Sequence, residues 1–131
     1  MSKETIYIAG RFHLRELFRP HREALRELGY KCTSSWLDLP IGAQSVPESE
    51  EQQMREAVVD LDQVGKSKFL VVDMTGTGGG GRFFEMGYAF AKNIMIFVVG
   101  AKQQVVFECL IARRFDNWQD CLAWFAARER A

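Results

Sequence analysis

Cysteine is scarce in this sequence, and its placement suggests neither a cross-link nor a metal site. Three cysteines occur among 131 residues, Cys32, Cys109 and Cys121. Because their number is odd and no Cys-x-x-Cys spacing is present, they indicate neither a disulfide framework nor a zinc site. Such a chain suits a reduced compartment, so we expect a cytoplasmic protein.

Long apolar runs and an excess of one charge are also missing. No apolar run approaches the ~20 residues of a membrane span, and residues 1–10 lack the apolar core of a signal peptide. Lysine plus arginine and aspartate plus glutamate balance at 17 each, which gives no general attraction to nucleic acid or to an anionic membrane. We therefore expect neither a nucleic-acid polymer nor a membrane as partner, although a local cluster can still bind a small anion.

The sequence does show an alternation of strand and helix patterns along one domain, residues 1–131. Apolar residues make up 47% of the chain, enough for a core without disulfides or metals. Buried-strand patterns occur at residues 5–9, 30–36, 69–72 and 94–99, with a further candidate at 113–115. Helical spacing of apolar residues occurs at 14–28, 54–64, 83–91 and 118–128, and Pro20 predicts a kink or a restart in the first of these. Residues 37–49 are predicted to form a long loop, and residues 105–110 are ambiguous.

This alternation predicts a parallel sheet of about five strands with helices on both faces. In such sheets, ligands bind outside the carboxyl ends of the strands. Three segments fall at that edge: Gly10 with Arg11, Trp36 with the loop that follows it, and the stretch from Asp73 to Glu85. We expect the ligand site there.

The most distinctive segment is Gly76-Thr-Gly-Gly-Gly-Gly81, which formally matches the dinucleotide fingerprint G-x-G-x-x-G. We exclude a dinucleotide site because the segment follows the third strand rather than the first. The acidic residue expected about 20 positions later and the second half of the fold are also missing. A P-loop is excluded because Arg82-Phe83 stands where Lys-Ser/Thr is required. The segment is then either a flexible connection or a loop whose amides approach an anion, and its five glycines in six positions favour the anion site.

Glu85 is expected in the first turn of the helix that follows this loop. A first-turn acid can simply complement the helix dipole. At a strand-end cleft, however, the dipole and the loop amides also keep the carboxylate ionised. An ionised, positioned carboxylate is the nucleophile that glycosyl transfer requires.

Residues 79–91, Gly-Gly-Gly-Arg-Phe-Phe-Glu-Met-Gly-Tyr-Ala-Phe-Ala, carry a resemblance to a known family. They resemble the glycine-rich, Glu-x-Gly-Tyr-Ala signature of nucleoside 2-deoxyribosyltransferases and their nucleoside 5′-monophosphate N-glycosidase relatives. Ile6-Tyr-Ile-Ala-Gly10 resembles the opening strand of that family, and Asp60-Leu-Asp-Gln-Val64 resembles the helix that carries its site aspartate. Residues 98–100, 106–107 and 114–115 resemble the tail of its shorter members, so the similarity runs in order along nearly the whole chain.

The resemblance implies a flavodoxin-like, or Rossmann-like, three-layer α/β sandwich and chemistry at the N-glycosidic bond of deoxynucleosides or their monophosphates. By position, Glu85 matches the nucleophile, and Tyr7 matches the tyrosine whose hydroxyl orients it. Asp60 matches the aspartate near the departing base, which it protonates, and Asp73 is a weaker match to a second acid that contacts the base. The implied mechanism is a double displacement that needs no metal and no organic cofactor.

Other residues at the strand ends are candidates for binding the substrate, and each has a plainer alternative. Trp36 can stack on a base or belong to the core. Arg11 and Arg82 can clamp a 5′-phosphate or lie solvated at the surface. The backbone at Gly10, Gly79, Gly80 and Gly81 is expected to approach the ligand.

The catalytic assignments have alternatives of the same kind. Tyr7 can be a core aromatic with its hydroxyl at the sheet edge. Asp60 and Asp62 border the buried face of one helix on opposite sides, and only the resemblance favours Asp60 over Asp62.

Several questions stay open at this point. Relatives that cleave monophosphates tend to place a serine in the glycine loop, whereas this loop has Thr75 and Thr77. Hydrolase or transferase, nucleoside or nucleotide, and the preferred base and sugar are therefore undecided. A rival function is a nucleotide-binding or sensing module without turnover, whereas a flavoprotein is disfavoured because Glu85 would repel a flavin phosphate. The resemblance also implies a homodimer or larger oligomer, with Phe107 and Glu108 as candidates to reach a neighbour's pocket.

Overall fold

The computed structural model describes residues 4–40, 42–76, 80–102 and 106–130. In this part of the chain, five strands form one parallel sheet in the order β2-β1-β3-β4-β5. The strands are β1 Thr5–Ala9, β2 Lys31–Cys32, β3 Phe69–Asp73, β4 Met95–Val99 and β5 Arg113–Phe115. The helices are α1 Arg15–Glu27, α2 Glu50–Gly65, α3 Gly80–Ala91 and α4 Trp118–Arg130. The architecture confirms the predicted parallel, flavodoxin-like α/β sandwich.

The three central strands, β1, β3 and β4, form the core because they are apolar along nearly their whole length. Every residue of β3 is buried, including its terminal Asp73. A strand that is apolar throughout, rather than alternating, is typical of a parallel sheet covered on both faces. The helices cover both faces of the sheet. Among the described residues, no helix is both long and apolar enough to span a membrane.

The two faces of the sheet carry different helices. Phe69 of β3 packs edge-on against Trp124 and Phe125 of α4, which lies beside α1. Helices α2 and α3 pack against each other on the opposite face. Because side chains alternate along a strand, Phe69, Val71 and Asp73 point to the α1/α4 face. Tyr7 pairs in register with Leu70 and points to the α2/α3 face.

The second strand is much shorter than the 30–36 pattern predicts. After Cys32 the chain leaves the sheet, and Ser35–Asp38 form a short 3-10 helix. The Ser34 hydroxyl accepts the backbone N–H of Ile8 at 2.6 Å, so a side chain replaces the next ladder bond. Trp36 therefore lies in the 3-10 turn rather than at the end of a strand.

Two helices also differ from their sequence patterns. Helix α1 runs without interruption through Pro20. Glu16 is exposed, so water can donate to the carbonyl that Pro20 leaves unpaired. Helix α3 begins at Gly80, three residues earlier than predicted, because the glycines themselves enter the helix.

The inward face of α2 is rotated from the one that its apolar residues predict. Val64 is buried as expected, but Met54 and Val58 are 67% and 58% exposed. The half-buried side of the helix carries Gln53, Glu56 and Asp60 instead. Polar side chains face inward here because α2 lines a cavity rather than a packed core.

Candidate active site

A cavity of about 590 Å³ opens at the carboxyl end of β1, between that strand and helices α2 and α3. Its size falls within the ~300–1,000 Å³ range of small-molecule pockets. Tyr7, Asp60 and Glu85 all line it, and residues 44–47 of the long loop after the 3-10 turn form part of its wall. The topology thus brings together a tyrosine of β1, an aspartate of α2 and a glutamate of α3.

Tyr7 and Glu85 interact directly in this cavity. The Tyr7 side chain is only 1% exposed, and its hydroxyl donates a hydrogen bond to the Glu85 carboxylate. Burial raises the pKa of Tyr7 far above its usual value, and the nearby charges of Glu85 and Asp60 raise it further. The phenol therefore stays neutral and acts on Glu85 as a donor.

Glu85 lies in the second turn of α3 rather than the first, because the helix begins at Gly80. Its carboxyl is half-buried, and burial raises its pKa to about 7, with the Asp60 charge adding to the rise. The hydrogen bond from Tyr7 acts in the opposite direction and lowers this pKa. Burial thus opposes the ionisation of Glu85 that the helix dipole and the loop amides were expected to favour.

Asp60 and Asp62 differ clearly in burial and in the groups that they contact. Asp60 is half-buried and lines the cavity, whereas Asp62 is exposed and pairs with Lys66 at 2.9 Å. Burial raises the pKa of Asp60 to about 6, and the neighbouring charge of Glu56 contributes to that rise. A carboxyl with a raised pKa can hold a proton near neutral pH and is therefore suited to general acid chemistry.

Arg82 is buried and binds its own loop. Its guanidinium is directed at the carbonyls of Asp73, Thr75 and Gly76, at 3.1, 3.3 and 3.2 Å. The side chain is only 3% exposed, although it reaches the cavity wall. This arrangement fixes the entry to the glycine loop and leaves Arg82 poorly placed for the predicted phosphate clamp.

Arg11 has fewer contacts with the protein than Arg82, although it is not among the residues that line the cavity. Within the described residues its guanidinium makes no hydrogen bond, and it lies against Gly76, where a Cβ would stand 2.9 Å from its Nη1. Gly76 has φ +83°, which favours glycine at this position, whereas the flexible Arg11 side chain could move away from a Cβ. Burial lowers the pKa of Arg82, the charge of Asp73 opposes this, and the charge of Arg11 lowers it further. Both guanidinium groups lie beside Gly76.

Asp73 is not brought to the cavity. Its carboxylate points to the α1/α4 face, where it accepts the Trp118 indole N–H and the Thr75 backbone N–H, both at 2.7 Å. The Trp118 ring in turn stacks on His21 with 4.5 Å between centroids. The predicted contact between Asp73 and a base has no support in this geometry. Asp73 instead binds the Thr75 N–H at the start of the glycine loop, on the side of the sheet away from the cavity.

The remaining predicted binding residues either line the cavity in a packed position or face open space. Trp36 lines the cavity with its indole N–H fixed to the Ile8 carbonyl at 2.8 Å. Gly10 also lines it, but a Cβ there would lie 2.6 Å from the Phe18 ring, so packing already requires glycine. Gly80 and Gly81 face open space, and Gly81 reaches the cavity. Gly79 and Thr77 lie outside the described residues.

The sequence interpretation missed Glu56, which also lines the cavity. It lies four residues before Asp60, a spacing that places two side chains on one helix face. This four-residue spacing from Asp60 was the sequence signal that could have identified Glu56. Phe107 and Glu108 lie in a 3-10 segment, Val106–Leu110, where Phe107 is 68% exposed and Glu108 pairs with Arg114.

Solved structures with this fold include enzymes that act on different substrates. A 2-deoxyribosyltransferase from Bacillus psychrosaccharolyticus superposes with a TM-score of 0.76 at 16% identity, covering 95% of each chain. A CMP N-glycosidase from Clostridium botulinum gives 0.64 at 14% identity, covering 95% of this chain and 99% of that one. A 3-dehydroquinate dehydratase-like protein from Bifidobacterium longum gives 0.51 at 13% identity, covering 98% and 97%.

At these identities the similarity shows a shared fold. No protein-family model matches the sequence, and no match is found among curated proteins. Because one fold hosts many reactions, the function has to be argued from the side chains in the cavity.

Proposed function

We propose that this protein is an enzyme that cleaves or transfers the N-glycosidic bond of deoxynucleosides or their 5′-monophosphates through a covalent glycosyl-Glu85 intermediate. The observation that carries the proposal is the meeting of Tyr7, Asp60 and Glu85 in one cavity. Two solved neighbours of the same fold, a 2-deoxyribosyltransferase and a CMP N-glycosidase, support this class of reaction.

In the first half-reaction, one oxygen of the ionised Glu85 attacks C1′ of the sugar. The bond between C1′ and the base nitrogen breaks, its electron pair leaves with the base, and Asp60 supplies the proton that the base takes up. Tyr7 donates to the second oxygen of Glu85 and holds the carboxylate in line. The products are an ester between Glu85 and the sugar, a neutral base and an ionised Asp60.

In the second half-reaction, water or the nitrogen of another base attacks C1′ and breaks the ester bond. Asp60 takes the proton from the attacking group, and Glu85 leaves as a carboxylate. Water gives hydrolysis and a free sugar, and a second base gives transfer. Two displacements at C1′ retain its configuration.

A 5′-monophosphate is the substrate form that Arg11 would favour. The guanidinium stands beside Gly76, next to the glycine loop, and it makes no hydrogen bond to any residue described. A phosphate placed there would gain charge-assisted hydrogen bonds from Arg11. We therefore include nucleotides in the proposal and make Arg11 the test of that choice.

The protein is also proposed to work as a homodimer or larger oligomer. Helices α2 and α3 leave large apolar side chains uncovered, with Met54 67% and Phe84 70% exposed. Burying such side chains against a second copy would be favourable. Sedimentation analysis tests this directly, and a monomer at micromolar concentration would contradict it.

The decisive experiment traps the intermediate. A panel of deoxynucleosides and their 5′-monophosphates is incubated with the enzyme, with and without a free acceptor base, and the protein is analysed by intact mass and peptide mapping. We expect a deoxyribosyl adduct on Glu85, no adduct in Glu85→Gln, and turnover at least about a thousandfold lower in that variant. Asp62→Asn, on α2 but outside the cavity, serves as the matched control and should behave as the parent protein.

Two other outcomes would change the assignment. Nucleotide binding without turnover of any panel member would favour a non-catalytic binding or sensing module. Near-normal turnover by Glu85→Gln would show that this carboxylate is not the nucleophile.

A further inference from the structure

Two carboxylates of α2 face the cavity, and they differ from the other acids of that helix. Glu56 and Asp60 both line the cavity wall. Glu51 and Asp62 lie outside the cavity and pair with Arg55 and Lys66, each at 2.9 Å. Glu56 has no ion-pair partner in the part of the chain that the structure describes. Of the acids in the body of this helix beyond its first turn, Glu56 and Asp60 are thus the two directed into the site.

Glu85, Asp60 and Glu56 form a sequence of acids along the cavity. The charge of Asp60 acts on Glu85, and the charge of Glu56 acts on Asp60. Four residues along a helix correspond to a rise of about 6 Å, which is comparable to the distance across a nucleobase from its glycosidic nitrogen to its far edge. If Glu85 meets C1′ and Asp60 meets the ring of the base, Glu56 stands at that far edge.

We propose that Glu56 selects the base by accepting a hydrogen bond from an exocyclic amino group, so that the site takes 4-aminopyrimidines and 6-aminopurines. This inference rests on the proposed function. An ionised carboxylate only accepts hydrogen bonds, so it pairs with the amino group of cytosine or adenine and repels the carbonyl of uracil, thymine or hypoxanthine. The same side chain thus attracts one class of base and rejects the other.

Two of the donors at this wall that would favour a carbonyl-bearing base are bound by the protein itself. The amide nitrogen of Gln53 donates to the Pro47 carbonyl at 2.6 Å. The Arg55 guanidinium, which also reaches the cavity wall, donates to Glu51 at 2.9 Å. These two donors are held by the protein, whereas the Glu56 carboxylate is left to meet the base.

The test uses substrate pairs that differ only by an amino group and a carbonyl oxygen. We compare kcat/KM for dCMP against dUMP and for deoxyadenosine against deoxyinosine, in the parent protein and in Glu56→Gln. The parent should prefer the amino member by roughly 10–100-fold. Glu56→Gln, whose amide both donates and accepts, should reduce that ratio to within about threefold. Its activity towards carbonyl bases should be equal or higher.

Asp62→Asn removes an acid of the same helix outside the cavity, whose partner Lys66 does not line it either, and should leave the selectivity ratio unchanged. A general loss of folding would lower both members of a pair together, so the ratio separates recognition from stability. A parent protein that turns over both members equally would overturn the role of Glu56 and leave the proposed function intact.

If no member is turned over, the proposed function fails, and the inference is then decided by calorimetric binding of dCMP and dUMP. A preference for dCMP that disappears in Glu56→Gln would support it. Equal binding of the two nucleotides would overturn it.

Discussion

The carboxyl groups of Glu85 and Asp60 lie in one cavity, and the charge of Asp60 raises the pKa of Glu85. Groups that interact in this way titrate as a pair. The proposed mechanism needs the pair with a single proton, on Asp60 and not on Glu85. Because the pKa of Asp60, about 6, lies below that of Glu85, about 7, this is the minor of the two singly protonated forms. A doubly protonated pair cannot attack the sugar, and a doubly ionised pair cannot protonate the base.

The first prediction is a bell-shaped dependence of kcat/KM on pH, with its maximum between about 6 and about 7, the raised pKa values of Asp60 and Glu85. In Asp60→Asn the overall rate should fall by roughly a hundredfold or more because the general acid is gone. The alkaline limb should disappear with it. The acid limb should stay in place or move slightly to higher pH, because Asp60 is already uncharged in the doubly protonated pair from which that limb starts. Both proteins are assayed with one substrate, so its own ionisation cancels, and an unchanged profile would contradict the pairing.

The second prediction concerns Tyr7→Phe, which removes the hydroxyl that donates to Glu85. The value of kcat should fall by roughly 10–100-fold, the range expected for one hydrogen bond to a charged group, with little change in KM. Because that bond lowers the pKa of Glu85, its loss should move the acid limb to higher pH.

Tyr30→Phe is the control for this variant. The Tyr30 hydroxyl accepts from Arg128 at 3.2 Å and takes no part in the cavity. Loss of that hydroxyl should change stability alone. A Tyr7→Phe enzyme with a normal kcat and an unshifted profile would show that Tyr7 is only a core residue.

The third prediction is that Glu85→Gln stabilises the fold above neutral pH. The folded pKa of Glu85 is raised from 4.5 to about 7, so the folded state binds this proton more tightly than the unfolded chain does. Stability contributed by the carboxyl therefore falls as pH rises from 4.5 to about 7, and the full cost is present above 7.

A neutral glutamine removes this cost. At pH 8 the variant should gain about 1–2 kcal/mol in free energy of unfolding, reduced from the full linkage value because the group is only half-buried. The gain should shrink as the pH approaches 5. Urea titrations at both pH values measure it, and an equal gain at both would exclude an ionisation effect.

The fourth prediction separates the two arginines beside the glycine loop. Arg11→Ala should raise KM for monophosphates by roughly tenfold or more and leave plain nucleosides unaffected. Added salt should weaken the parent's use of monophosphates in the same selective way.

Arg82→Lys provides the contrast. It keeps the charge but loses the contacts to the Asp73, Thr75 and Gly76 carbonyls. We expect it to lower stability by about 1–3 kcal/mol and to impair both substrate classes alike. Equal sensitivity of the two classes to Arg11→Ala would remove the phosphate role.

Much of the sheet could be predicted because its central strands are continuous apolar runs that end at glycine or aspartate. The strand 30–36 could not, because the Ser34 hydroxyl replaces the ladder bond that would have continued it. Nothing in the local sequence pattern shows whether the Ile8 N–H will bond to a side-chain hydroxyl or to a backbone carbonyl. The same limit applies to α2, where the inward face was set by a cavity rather than by apolar spacing.

The sequence predicted which residues belong to the site better than it predicted which way their side chains point. Glu85, Tyr7 and Asp60 were named from a resemblance, and the register of β1 with β3 brings Tyr7 to the α2/α3 face. Asp73 belongs to a strand that is buried on both faces, so its sequence gives no sign of which face its carboxylate meets. The pKa of Glu85 depends on burial by distant segments and was likewise beyond the sequence pattern.

The bond between Trp118 and Asp73 joins the last helix to the glycine loop across 45 positions of the chain. During synthesis on a ribosome, Tyr7, Asp60 and Glu85 have all been added to the chain before α4 is made. A nascent chain, or one cut by a protease ahead of Trp118, holds every acid of the cavity yet leaves Asp73 without its indole donor. A cut far from the cavity would therefore remove a contact that fixes the glycine loop while leaving every residue of the cavity wall in the chain.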